Sequence, residues 1–288
     1  RARKKFDRLR HEAELTAPAF REKAVSLVLA GGLLGAVAGP NLASGTRNLF
    51  PVPFAGAYLA LMLVALLAMV CMAGVHFESL PAPAPGAAAP PAGRPVSALL
   101  RQPAFAVAML GAALGYGVMN LLMAATPLAM QVCGFGFDSA ALVLEWHVIG
   151  MFAPGFFTGH LIKRMGTLPV MLLGVLLNLA CVGIALSGQE IAHFTAALFL
   201  LGVGWNFLFT GSTTLAITAY RPEEKDRAQG AINFFVFATM AGTSLASGAL
   251  VTTSGWNWLN LASLPPLLLT GGALLWLMAR QRGVPQPG

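Results

Sequence analysis

Few residues in this chain could do chemistry, and most of them stand inside long apolar runs. Glu145 and His147 are the titratable residues of one such run. Two positions apart on a helix, they point to different faces. His147 shares its face with Met151, Pro154 and Thr158, whereas Glu145 shares its face with Leu142, Ile149 and Phe152. The first of these faces makes His147 the better cavity candidate, and its imidazole can also take up a proton near neutral pH. Glu145 lies ~10 Å along the helix from Asp138 at 1.5 Å per residue, so an anchoring role near a membrane interface suits it equally.

A second set is polar but uncharged. Tyr116, Asn120, Pro127 and Gln131 fall near one face of their run, and Gly202, Asn206, Thr210 and Thr213 form a stripe on another. Asn120 and Asn206 stand near the middle of their runs. A polar group inside hydrocarbon is costly and faces either protein or a cavity. Two roles are open for each: lining a solute path, or an interhelical hydrogen bond worth about 0.6 kcal/mol. Trp205, also mid-run, suits stacking on an aromatic ligand or plain packing. Trp256 and Trp258 sit at the end of a run and read as interfacial belt residues.

No catalytic constellation accompanies these groups. The sequence contains no H-E-x-x-H, no glycine-rich phosphate loop with a lysine and no paired aspartates at the edge of a run. Cys71, Cys133 and Cys181 are far apart and have no metal-ligand spacing, so they read as small apolar residues. The loops are too short for a soluble catalytic domain. No enzyme activity, cofactor or metal is expected.

The elements that would position these residues are spans. Of 288 residues, 57% are hydrophobic and only 10% charged, against about 25% charged in a soluble domain. Mean hydropathy is +0.72. A spanning helix needs about 20 apolar residues, and eight runs qualify: 23–43, 54–76, 104–131, 139–162, 168–188, 192–217, 229–252 and 257–279. The expectation is an all-α polytopic membrane protein. Residues 77–103 are rich in Pro and Ala and read as a flexible, polyproline-like linker between two bundles.

The net charge of +7 has a positional explanation. With eight spans and strict alternation, every Lys and Arg except Arg47 falls on one side. That side is expected to be cytoplasmic and to hold both chain ends. Loops beside anionic lipid account for the basic balance, and no nucleic-acid partner is expected. The basic stretch 1–22 is not followed by a short apolar segment with a small-residue cleavage site, so a signal peptide is not expected. A start at Arg1 rather than Met reads as a truncation or a late start. Arg21-Glu22-Lys23-Ala24 with Leu42-Ala43-Ser44-Gly45 is echoed by Lys225-Asp226-Arg227-Ala228 with Leu245-Ala246-Ser247-Gly248. An internal repeat and chance similarity between apolar helices both fit that echo.

Two motifs then bring a family into view. Gly159-His160-Leu161-Ile162-Lys163-Arg164-Met165-Gly166 resembles the G-x-L-a-D-R-x-G-R loop of the major facilitator superfamily. Gly159, Leu161, Arg164 and Gly166 match, while Lys163 replaces the usual Asp and Thr167 the final basic residue. The glycines permit a tight turn. Arg164 could serve as a cytoplasmic latch through helix-end carbonyls or a carboxylate, or as a positive-inside anchor. Gly35, Gly39 and Pro40 resemble the helix-5 motif of superfamily antiporters, which would imply export. Ser26 and Ala43-Ser44 depart from that motif, and generic small-residue packing explains the same spacing, in which Gly31, Gly35 and Gly39 share one face.

The resemblance maps the chain onto helices 5 to 12 of an expected twelve. It implies two helices of an N-terminal bundle (23–76), a linker (77–103), a C-terminal six-helix bundle (104–280) and a cytoplasmic tail (281–288). Segments around Trp146–Pro154 and Leu201–Phe209 look like those of bacterial permeases in this superfamily, some of which are linked with riboflavin or drug transport; riboflavin carries little weight at this stage. The implied function is secondary active transport of a small, neutral or amphipathic organic solute by alternating access, in a bacterial inner membrane, as a monomer and with a proton as a candidate coupling ion. The alternative is a non-transporting fragment or structural membrane protein. The expected pathway residues are Asn120, His147, Trp205, Asn206, Glu145, Tyr116 and Thr210.

Overall fold

The computed structural model describes residues 18–74 and 93–282, with side chains from residue 30 onward. The basic segment up to residue 17, most of the expected linker and the last six residues lie outside the described residues. The described residues form helices and no strand. These are α1 (Pro18–Thr46), α2 (Ala55–Ala73), the short α3 (Val96–Leu100), α4 (Pro103–Val132), α5 (Phe137–Phe152), α6 (Gly155–Met165), α7 (Thr167–Ser187), α8 (Ile191–Ile217), α9 (Lys225–Thr253), α10 (Gly255–Ala262) and α11 (Leu264–Arg282). Helices satisfy their own backbone polar groups, the condition for crossing hydrocarbon.

Six spans among the described residues are long and apolar enough to cross a membrane, or seven if α5 and α6 count as one. The expected eighth corresponds to α1, whose 29 residues reach ~44 Å. Two expected spans are broken. The run 139–162 bends by 42° between α5 and α6. Pro154 has no N–H for the Gly150 carbonyl, which interrupts the ladder there. The run 257–279 divides at Ser263, just before Pro265 and Pro266, and the Ser263 hydroxyl bonds the Asn260 carbonyl at 2.6 Å.

The helices approach one another at glycines. At Gly174, a methyl group would lie 2.8 Å from the Gly204 carbonyl oxygen, so α7 and α8 cross almost backbone to backbone. At Gly150, it would lie 2.6 Å from the Phe199 carbonyl, which sets the crossing of α5 with α8. Such contacts replace the hydrophobic driving force that lipid cannot supply. Helix α4 runs through the centre, buried against α8 and α9. One apolar cluster, including Met130, Phe194, Leu201 and Trp256, fills one end of the bundle. The other, including Leu99, Phe105, Met171, Leu208 and Leu277, fills the opposite end.

The glycine face of α1 behaves differently from its spacing. A methyl group on Gly31, Gly35 or Gly39 would meet nothing within 4 Å, so no described helix uses that face for close packing. Gly32, one position round, carries the contact instead, with the Phe152 ring 2.8 Å from a methyl group placed there. Helix α1 packs mainly on α5, and α2 packs on α1 with only 6% of its span buried.

Candidate functional site

Alternating helices sort the ends of the fold. Of the cations whose side chains are described, Arg94, Arg101, Lys163, Arg164, Arg221, Lys225, Arg227, Arg280 and Arg282 stand at one end, and Arg47 stands at the other. Between the ends, a cavity of about 550 Å³ opens along the seam where α1 meets α4 and α5. Its walls are Gly32, Gly35, Ala36 and Pro40 from α1, Met123, Ala124 and Pro127 from α4, and Leu144, Val148 and Phe152 from α5. A second space of about 300 Å³ continues from it toward the Arg47 end, sharing Pro40, Pro127 and Leu144 and adding Phe137, Ala140 and Ala141. A third, about 350 Å³, lies between α1 and α2 and includes Gly35, Gly39 and Tyr58.

These walls are apolar, and two prolines stand in them. Pro40 deprives the Ala36 carbonyl of its regular i+4 donor, and Pro127 does the same to the Met123 carbonyl. In a helix the freed carbonyl abuts the proline ring. Both rings line the seam cavity, as do Ala36 and Met123. The cavity is almost wholly apolar, and its size falls within the ~300–1,000 Å³ typical of a small-molecule site.

The expected pathway residues take other places. Of that set, none lines the seam cavity, although Gly35 and Pro40 do. The Asn120 amide nitrogen lies 3.0 Å from the Thr243 hydroxyl, 2.9 Å from that of Ser244 and 3.2 Å from the Met240 carbonyl, fastening α4 to α9. Asn206 donates to the Met151 carbonyl at 2.7 Å and accepts from Thr158 at 2.7 Å. Thr158 also reaches the Pro154 carbonyl at 2.7 Å. Asn206 thus spans the break between α5 and α6.

His147 is fully buried, with Nδ1 2.8 Å from the Leu198 carbonyl. That carbonyl only accepts, so Nδ1 carries the proton and Nε2 is left as a buried acceptor without a partner in the described residues. Glu145 is half-buried and accepts from the Asn41 amide at 3.1 Å. Trp205 stacks on Phe209 with centroids 5.1 Å apart and 9° between planes. Tyr116 meets both rings edge-on at 5.3 and 5.8 Å. The Trp205 indole N–H is buried without a hydrogen-bond partner among the described residues. Thr210 is half-buried on the same helix, its carbonyl accepting from Thr214 at 2.8 Å.

In the loop motif, Gly166 has φ +91°, a left-handed conformation that admits glycine readily, and it makes the turn from α6 into α7. Gly159 faces open space. Arg164 is exposed, and no ion pair joins it among the described residues.

An arginine contact of the expected latch type forms elsewhere at the basic end. The Arg94 guanidinium makes two bonds of 2.7 Å to the Glu224 carboxylate, and the Arg94 backbone N–H makes a third at 2.9 Å. Glu224 also accepts from the Arg221 backbone at 2.9 Å, while Arg227 donates to the carbonyls of Gly93 and Arg94. These bonds fasten the chain entering α3 to the loop before α9. Glu224 lies in the turn ahead of the apolar part of α9, and the hydrogen bonds from Arg94 hold its carboxyl well below the usual carboxylate range. Nothing local in the sequence marked Glu224 as the partner of a residue 130 positions earlier.

Known proteins supply the last element. The sequence profile of the Major Facilitator Superfamily matches residues 13–241 and, overlapping, 146–288. The chain is 38% identical over 256 residues to the "Riboflavin transporter RfnT" of Brucella anthropi, a match covering 87% of this chain and 63% of that protein. It is 28% identical over 165 residues to the uncharacterized MFS-type transporter YddS of Bacillus subtilis, covering 57% of this chain and 38% of that one. A shorter match, 32% over 138 residues, is to the H(+)/hexose cotransporter 2 of Parachlorella kessleri, covering 46% of this chain and 24% of that protein. The chain thus spans less than two thirds of the length of these relatives. With its apolar helices and the loop turn at Gly166, this multi-pass membrane chain belongs to the major facilitator superfamily.

Proposed function

We propose that the chain is part of a secondary transporter that moves a flat, largely uncharged heteroaromatic solute of the riboflavin class by alternating access. The observation that carries this reading is the 38% identity to a riboflavin transporter over 87% of the chain. The seam cavity agrees with it in chemistry. An apolar wall of this size suits a fused-ring face. The Tyr116–Trp205–Phe209 cluster, with its unpartnered indole N–H, offers a second aromatic surface deeper in the bundle. Alternating access fits a site at the seam between two bundles, which exposes it to one side at a time as they rock.

The basic end is taken as cytoplasmic, in a bacterial inner membrane, with both chain termini on that side and a monomeric protein. The driving gradient is proposed to be an ion gradient, with the proton as first candidate.

The test is uptake or efflux of labelled riboflavin by the full-length protein in proteoliposomes, with and without an imposed pH gradient. Saturable flux above that of empty liposomes is expected, increased by the gradient. Flux equal to that of empty liposomes, with riboflavin failing to alter the thermal stability of the purified protein, would overturn the reading in favour of a non-transporting membrane protein.

A further inference from the structure

One stripe of α5 borders the seam cavity. Leu144, Val148 and Phe152 stand four positions apart, so they share one helix face and cover about 12 Å of its length. Leu144 lies toward the end where Arg47 pairs with Asp138 at 2.9 Å. Phe152 is the last residue of α5 and stands at the end of the cavity away from Arg47. The α1 wall contributes the small residues Gly32, Gly35 and Ala36.

Phe152 is the one aromatic residue among those that line this cavity. Its neighbours set the position of its ring. A methyl group on Gly32 would lie 2.8 Å from Cδ1 and 2.9 Å from Cε1, so this edge of the ring rests in a notch that glycine leaves open. The backbone that carries the ring is fixed as well. Pro154, two residues on, interrupts the helix, which turns there by 42°. Asn206 donates to the Met151 carbonyl at 2.7 Å, immediately before Phe152. The rings of Tyr116, Trp205 and Phe209 already pack on one another, whereas Phe152 joins no ring pair among the described residues. Phe152 is half-buried, with one edge in the notch and the cavity beside it. A ring so held loses little freedom when a second ring stacks on it.

We propose that Phe152 is the stacking residue of the seam cavity, against which a flat heteroaromatic solute lies, and that the Gly32 notch and the Asn206 bond position its ring for that contact. The inference rests on the transport reading for the identity of the solute. Its test is a titration of riboflavin into the purified full-length protein in nanodiscs, with the fluorescence lifetime of the bound flavin as a second readout. A phenyl ring does not donate an electron to an excited flavin. An indole or phenol in contact does so and takes the electron back, so emission is lost without net reaction.

Phe152→Trp is expected to keep binding and to shorten the bound lifetime severalfold relative to the parent. Phe152→Tyr, which adds a single oxygen, is expected to give the same signature where the indole is too large to fit. Phe152→Leu keeps the wall apolar but removes the ring, and its dissociation constant is expected to rise about two- to tenfold, the worth of one aromatic pair. Gly32→Ala, which crowds the ring edge, is expected to weaken binding too, whereas Gly31→Ala, with nothing within 4 Å, is not. A merely structural role would move the unfolding midpoint of Phe152→Leu and leave the lifetime in Phe152→Trp and Phe152→Tyr at the parental value. Parental lifetimes in both of those variants with riboflavin bound, or parental affinity in Phe152→Leu, would overturn the stacking assignment alone. A parent protein that binds no riboflavin would overturn the substrate reading and the stacking with it.

Discussion

Replacing Asn206 by Leu removes two hydrogen bonds across the break between α5 and α6, one to Met151 and one from Thr158. Interhelical hydrogen bonds in membranes are worth about 0.6 kcal/mol on average and up to about 1.7. Two such bonds give about 1.2 kcal/mol. The Met151 carbonyl and Thr158 hydroxyl also lose a partner in a buried place, a penalty of about 1–3 kcal/mol for a group left fully unsatisfied. Thr158 retains the Pro154 carbonyl at 2.7 Å, so the lower half of that range applies. The expected cost of Asn206→Leu is therefore about 2–3 kcal/mol. Thr158→Val removes the shared bond from the other side. A double-mutant cycle then isolates it, with an expected coupling of about 0.6–1.7 kcal/mol. Reversible unfolding of the purified full-length protein in mixed micelles supplies the four free energies. Single-variant costs that add to within about 0.3 kcal/mol would refute a direct bond between these side chains. Transport separates the two roles open to Asn206. A residue that holds the break lowers the maximal rate with little change in KM, whereas a solute contact raises KM with stability unchanged.

Further outcomes follow from the same geometry. Gly150→Ala, whose methyl group would sit 2.6 Å from the Phe199 carbonyl, is expected to destabilise the protein by about 1–3 kcal/mol, while Gly31→Ala, with nothing within 4 Å, leaves the thermal unfolding midpoint unchanged. Pro127→Ala removes a ring from the wall shared by the seam cavity and the space that continues from it, and riboflavin binding measured by fluorescence quenching is expected to weaken severalfold. Glu224→Gln is expected to lower the unfolding midpoint by a few degrees at neutral pH. Because the folded carboxyl is held below its ordinary range, the Arg94–Glu224 contribution is fully present above the ordinary carboxylate pKa and is lost only as pH falls through the depressed folded value. The unfolding midpoints of parent and Glu224→Gln should therefore stay separated from pH 8 down to about pH 5 and converge in stronger acid.

The spans and the gathering of cations at one end were legible in the sequence because both follow from local, additive free energies. Each apolar residue contributes its own transfer energy, so a run such as 168–188 announces α7 without any partner. Each loop cation responds to the membrane surface on its own, so the bias followed once the spans had been counted along the chain. Gly166 was legible for a similar reason, since a turn between two helices demands a backbone conformation that few residues adopt. The break at Pro154 is written in the residue itself, although the expected span 139–162 ran straight through it.

What the sequence by itself determined is the membrane, the helices and the charged side. Which polar residues meet was decided by the tertiary structure. Asn206 and His147 occupy mid-span positions that suit a cavity, and the helix crossings at Gly150, Gly174 and Gly204 turn both toward neighbouring backbone. The partners of Arg47 and Arg94 lie 91 and 130 positions away. Helical periodicity fixes a face relative to its own axis only. The rotation and crossing of one helix against the next select the facing group, and that choice is a property of packed pairs rather than of any one segment.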